Sequence, residues 1–401
     1  MLGALRSRDY RLFWSGSFVA NLGVWVQQIA LGWLVYDMTR RASLLGTIGF
    51  CGNLPVLTLG LVGGAIADRA SRRTIMLSTL GVIAATALTL AALTASGLLA
   101  VWHVIAISMV AGTASALYTP AMQAVIPSLV EPSELLGAIS LNSVQFNLAR
   151  ALGPALAGVG YGRIGPAGCF AANGAGFLAM TLLLARVRLP RRPPGAAPPV
   201  ARALREGLGY ARAHPVIARA LLLAAVVSLF GFPYIILLPA LARDALGLDA
   251  AGLGYLMAAV GAGAVVGGLA LSAAGERPHK ERLAVGTAVA FGLTLATFAI
   301  VRSARGTALV LFTLGVLQTV CVASLNTTIQ LTVHDGMRGR IMSMMTVILF
   351  GFATTGGLLA GFASDRVGVP AALAAGGVVI ATAAAAVLAR APALTGAVEE
   401  A

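Results

Sequence analysis

A charged side chain in the middle of an apolar run pays heavily for leaving water, so its presence points to a ligand or to a charge partner. Arg150 is such a residue. About fifteen residues precede it in its run, which places it roughly 22 Å along a helix rising 1.5 Å per residue. There it can bind an anionic group of a ligand, pair with Asp37 at the far end of the first apolar run, or reach the headgroups along its own stem. Asp37 is the best-placed carboxylate for a titration coupled to function, although its neighbours Arg40 and Arg41 also suit an ordinary helix-end acid. Glu131 and Glu134 flank Pro132 and Ser133, a helix entry rather than a reactive pair.

The remaining reactive residue types exclude several chemistries. His103, His214, His279 and His334 fall in separate segments, and Cys51, Cys169 and Cys321 each lie in a different apolar run. Neither set has metal-ligand spacing or a disulfide framework, so no metal and no cofactor is expected, and an enzyme is disfavoured. Lys280 is the only lysine, and no Gly-x-x-x-x-Gly-Lys-Ser/Thr loop exists to feed on a nucleotide.

The elements that carry these groups are helices in a membrane. The 401 residues are 58% hydrophobic and 10% charged, far from the roughly 25% charged content of soluble domains. Twelve weakly charged runs are each long enough to cross a hydrocarbon core about 30 Å thick. They cover, approximately, residues 12–36, 44–67, 74–96, 100–124, 135–160, 166–186, 216–242, 250–274, 283–301, 307–331, 341–363 and 369–389. The runs are apolar on all sides and do not alternate as barrel strands do, so the fold class is all-α. The first run is of span length and lacks a small-residue cleavage site behind a short core, which reads as a retained helix rather than a signal peptide. Glycine pairs such as Gly63-Gly64, Gly267-Gly268 and Gly356-Gly357 predict close helix crossings.

The net charge of +14 is explained by its placement. With the N-terminus set inside, twenty Lys and Arg fall in cytoplasmic segments and seven on the opposite side, which puts both termini in the cytoplasm. The excess is topological, and no nucleic-acid partner is expected. The Arg- and Pro-rich stretch around 190–215 reads as a cytoplasmic linker with a short amphipathic patch over Val200 to Ala213. It separates an N-terminal six-helix bundle, 1–189, from a C-terminal one, 216–401, and the two face the same way as parallel repeats.

Two local patterns carry a resemblance to a known family. Gly64-Ala65-Ile66-Ala67-Asp68-Arg69-Ala70-Ser71-Arg72-Arg73 closes the second run. It resembles the loop between helices two and three of the major facilitator superfamily, with Ser71 where that family usually has glycine. Asp68 among Arg69, Arg72 and Arg73 suits a charge lock on a neighbouring helix N-terminus, while the bare alternative is that the arginines only fix topology. Arg150 to Gly158, with Gly153 and Pro154, is similar to the Gly-Pro segment of exporters in that superfamily, Ala157 replacing one of its glycines. It is expected to bend helix five. The opening Arg8 to Trp14 and the Tyr36 to Thr39 helix end look like the branch with enterobactin exporters and macrolide efflux proteins.

The resemblance implies that helices one, four, seven and ten line a central cavity. On them lie Asn21, Trp25 and Gln28, spaced four and three apart on one face; Ser115 and Tyr118; Ser228, Phe232 and Tyr234; and Gln318 and Asn326. Aromatic faces mixed with uncharged amides suit a bulky, largely apolar small molecule of the drug or siderophore type. The expectation is a monomeric, multi-pass secondary exporter of the inner (plasma) membrane, an antiporter using protons as the coupling ion and working by alternating access. A metabolite importer and a non-transporting receptor or assembly factor stand as alternatives.

Overall fold

A computed structural model of the chain describes residues 2–69, 71–187, 200–275 and 280–389. Among them there is no strand, and eleven helices are long and apolar enough to cross a membrane. One of these, Pro132–Ala185, is two helices meeting at Gly165, so the crossings number the expected twelve. At Gly165 φ is 66° and ψ is −179°, a region essentially closed to any residue with a Cβ.

The membrane helices are α1 (Arg8–Thr39), α2 (Ala42–Arg69), α3 (Arg72–Ala95) and α4 (Val101–Val125). Then come α5 and α6, residues 135–164 and 166–185 on either side of the Gly165 break. The second set is α7 (Pro215–Ala245), α8 (Ala250–Ala273), α9 (Lys280–Ala296), α10 (Ala304–Thr332), α11 (Asp335–Val367) and α12 (Val369–Ala389). Connections are short. Two residues separate α1 from α2, and Gly368 alone, at φ 83°, separates α11 from α12. Local chemistry sets several starts: Pro215 opens α7, the Ser303 hydroxyl accepts from Gly306 N–H at α10, and the Asp249 carboxylate accepts from Gly252 N–H before α8.

Three stretches are wound wider than an α-helix: Val227–Gly231 and Leu241–Ala245 in α7, and Ile348–Phe352 in α11. In α7 the first is followed by Pro233, which has no N–H to give to the preceding turn, and the lost bond goes with the widened winding.

By contact the chain forms two compact units. The first holds Met1–Thr39, Phe50–Ala197 and Asp249–Ala258; the second holds Arg40–Gly49, Pro198–Leu248 and Ala259–Ala401. Helices α2 and α8 are therefore shared, each giving its first turns to one unit and the rest to the other. In the first unit Tyr10, Phe13, Met76, Leu80, Met180 and Leu184 are fully buried. The Tyr10 hydroxyl donates to Ala138 O (2.8 Å) and Trp14 Nε1–H to Leu141 O (3.0 Å), fastening α1 to α5. Large apolar side chains such as Leu136, Leu182, Leu269, Leu293 and Leu309 remain exposed. In water so many would be an association hazard; on spanning helices they are the lipid-facing surface.

The amphipathic patch of the linker is a helix, Val200–Ala213, in the second unit. It is pinned to the start of α11 by Arg340 Nη2 with Glu206 Oε2 (2.9 Å) and by the Tyr210 hydroxyl, which accepts from His334 N–H (3.3 Å). The Tyr210 and His214 rings stack at 3.9 Å.

Candidate functional site

In the first unit, Asn21 and Trp25 are half-buried while Gln28, expected on their face, is exposed. The neighbouring Gln27 does the polar work instead, because its Oε1 accepts from Asn173 Nδ2 of α6 at 2.8 Å. Asn173 is 2% exposed and its own Oδ1 has no hydrogen-bond partner among the described residues. That oxygen faces Gly23, where an added Cβ would lie 2.5 Å from it. A glycine on α1 thus admits the Asn173 amide between two backbones, a polar clasp of the kind that holds membrane helices together. The signal for Asn173 was present in the sequence, since it is the only amide in the span at 166–186.

Trp25 rests on α5. Its ring meets Phe146 edge-on, with centroids 6.4 Å apart and planes at 64°, and its Cβ lies so close to Gly153 that a side chain there would overlap it. The Gly153–Gly158 segment keeps helical dihedrals, and Gly165 is the non-helical residue within 135–185. Beside the expected bend at the proline, the segment makes close crossings. A Cβ on Gly254 of α8 would lie 2.9 Å from Pro154 O and 3.0 Å from Gly158 Cα. The missing side chains allow this contact, whatever the proline does to its own helix.

Tyr118 of α4 is half-buried, with its hydroxyl in reach of Ser17 of α1. Arg150 is half-buried and Asp37 exposed, and each engages a neighbouring group. Gln145, one turn and a half before Arg150, is 1% exposed and its Oε1 has no partner among the described residues. It is a further buried amide on α5 that the sequence reading passed over.

For the proposed gating loop, the side chains of Gly64, Asp68 and Arg69 lie outside the described residues, as does Ala70. Arg73 is placed: its guanidinium donates to Ala185 O and to Val187 O (3.4 Å), carbonyls that α6 leaves unpaired at its C-terminus. Arg72 is half-buried and also engaged.

In the second unit, two of the expected residues meet directly. Tyr234 of α7 is fully buried and its hydroxyl donates to Gln318 Oε1 of α10 at 3.0 Å. The Phe291 ring of α9 backs it at 6.3 Å. The bond fixes the Gln318 amide so that its Nε2, also buried, has no partner among the described residues. Ser228, fully buried in the wide turn of α7, likewise has an unpartnered hydroxyl, and Phe232 is half-buried at the end of that turn. Asn326 pairs along its own helix with Gln330. A small cavity of about 20 Å³ in this unit is lined by Arg219, Glu281, Leu325 and Thr328 among others. No cluster of His, Cys, Asp and Glu able to hold a metal occurs among the described residues.

The sequence profile described as transmembrane secretion effector matches residues 1–399. The staphyloferrin A transporter of Staphylococcus aureus is 34% identical over 150 residues, 37% of this chain and 38% of that one. Macrolide efflux protein A of Streptococcus pyogenes is 24% identical over 285 residues, 70% of each chain. The chain thus spans well under half the length of the first relative. Among solved structures, the nucleoside transporter NupG superposes with a TM-score of 0.76 at 12% identity, covering 95% of this chain and 98% of that one. An inward-facing bacterial homologue of the human lysosomal transporter Spinster superposes with a TM-score of 0.73 at 15% identity, covering 94% and 96%. At such identities the likeness establishes the fold and nothing finer.

Proposed function

Because the chain belongs to the transmembrane secretion effector family of the major facilitator superfamily, whose members are membrane transporters and not enzymes, we propose that it is a secondary exporter working by alternating access. The profile match over residues 1–399 carries this reading. Its substrate is a bulky, largely apolar small molecule bearing a few polar groups. Support comes from the side chains at mid-helix: the Trp25 and Phe146 rings in one unit, the Tyr234–Gln318 pair in the other, and the buried Gln318 Nε2, which has no partner among the described residues. Aromatic walls with sparse, fixed polar groups are what such ligands require. The macrolides named for one of the relatives fall in that class.

Candidate substrate contacts are Asn21 and Trp25 on α1, Tyr118 on α4, Phe232 and Tyr234 on α7, and Gln318 and Asn326 on α10. Asp37 and Arg150 are the candidates for coupling to protons, and Asp68 with Arg69, Arg72 and Arg73 for gating. The chain acts as a monomer in the inner membrane with both termini in the cytoplasm, as its arginine asymmetry favours. Reconstituted into liposomes under an imposed pH gradient, it is expected to drive macrolide or siderophore movement out of the compartment corresponding to the cytoplasm. Flux in the importing direction alone, or no gradient dependence with any probe, refutes the reading.

A further inference from the structure

The start of α2 has no cap of its own. The residue before its first turn is Arg41, which offers no acceptor for the free amides at a helix N-terminus. The acceptor comes from 323 residues further along the chain. Asp365 Oδ1, at the end of α11, accepts from Ala42 N–H at 2.7 Å and from Ser43 N–H at 3.3 Å, and Oδ2 accepts from Ser43 N–H at 3.3 Å. All of these residues belong to the second unit.

The backbones around this contact are shaped for it. A Cβ on Gly361 would lie 2.7 Å from Ala42 O and 3.0 Å from Ser43 Cα. On the other side, a Cβ on Gly46 would lie 2.8 Å from Leu358 Cα. Ala42 and Ser43 are buried, at 4% and 6% exposed. Just before them Arg40 adopts φ 53°, unusual for a residue with a side chain, and pairs with Asp244 at 3.5 Å. Asp365 itself is exposed, so water can compete for it when the contact loosens.

The sequence around Asp365 repeats one already singled out. Gly361-x-x-x-Asp365-Arg366 closes α11 as Gly64-x-x-x-Asp68-Arg69 closes α2. Each is a glycine one turn before an acid at a helix C-terminus, and α2 carries the acid motif at one end and receives an acid at the other. We infer that Asp365 is a releasable latch: it holds the first turn of α2 to α11 while that end of the protein is shut, and it lets go in each cycle. Along α2 the latch sits at the end opposite to the Asp68 motif. The inference rests on the transport reading for its purpose, but its physical content is independent of any substrate.

The test uses full-length protein in detergent, with Cys51, Cys169 and Cys321 replaced by Ser and a reporter at Ser43→Cys. The rate of alkylation of that buried thiol measures opening. Removal of the cap with Asp365→Ala is expected to raise the rate about fivefold, the weight of a typical N-cap. Asp365→Asn, which keeps an acceptor at the same reach, is expected to stay within about twofold of the parent. Asp365→Gln, whose amide is one carbon too long, is expected to follow the alanine variant and serves if that one aggregates. Equal rates in the parent, Asp365→Ala and Asp365→Gln overturn the latch. Efflux from liposomes is read separately: a parent that moves no probe while alkylation responds as expected removes the exporter reading and leaves the latch.

Discussion

Replacing Tyr234 with Phe removes one oxygen from a fully buried ring and leaves the acceptor it served, Gln318 Oε1, without that donor. Stranding a buried acceptor costs about 1–3 kcal/mol in soluble proteins. Helix-to-helix hydrogen bonds in membranes couple less strongly, by about 0.6 kcal/mol on average and about 1.7 at most. The expected loss for Tyr234→Phe is therefore about 1 kcal/mol. Gln318→Leu behaves differently, since it also deletes an Nε2 that has no partner among the described residues. Its cost should be the smaller of the two, and Tyr234→Phe made on top of it should be nearly free. Denaturant unfolding of the four proteins in one detergent gives the cycle. A coupling of about 1 kcal/mol is expected, and single effects that simply add to within about 0.3 kcal/mol refute the bond as the connection between α7 and α10. The same four proteins report on function, because a role in substrate contact requires KM to rise in the single variants beyond what their stability loss explains.

Two further outcomes follow from the glycines. Gly254→Val drives a branched side chain into Pro154 O and Gly158 Cα, and thermal unfolding is expected to show a loss of about 1–3 kcal/mol; Gly49→Ala, with open space around its Cβ, serves as the neutral control. Gly165→Ala places a Cβ in a dihedral region essentially reserved for glycine, for a loss of about 1–3 kcal/mol, again read by thermal unfolding.

The spans were legible because length and hydropathy alone decide whether a helix can cross a bilayer. The expected run at 250–274 and the observed α8 differ by one residue at the end. The run at 341–363 was read short, since α11 begins at Asp335 with a polar first turn that hydropathy cannot see. The Tyr234–Gln318 pair could be named residue by residue, as both are polar tips on otherwise apolar helices. Gln27 was passed over because one position is about 100° of helix rotation, and which amide faces α6 depends on where Asn173 sits. The Gly153-Pro154 segment reads as a bend; its packing was not legible, for its glycine gives room to Trp25 and its proline carbonyl faces α8. Asp365 was missed entirely. An acid at a helix end looks ordinary until its partner, 323 positions away, is known.

The widely wound turns at 227–231 and 348–352 have a consequence for how this sequence can change in length. Such a turn holds one more residue than an α-turn while advancing the helix by about the same angle. Losing a residue from an ordinary α-turn ahead of these positions in α7 or α11 rotates everything downstream by about 100° and turns buried faces to lipid. Loss of one residue inside either wide turn converts it to an ordinary one and leaves the later faces, with Tyr234 or Gly361 on them, where they were. Single-residue gaps in homologous chains are therefore expected to collect at these two places.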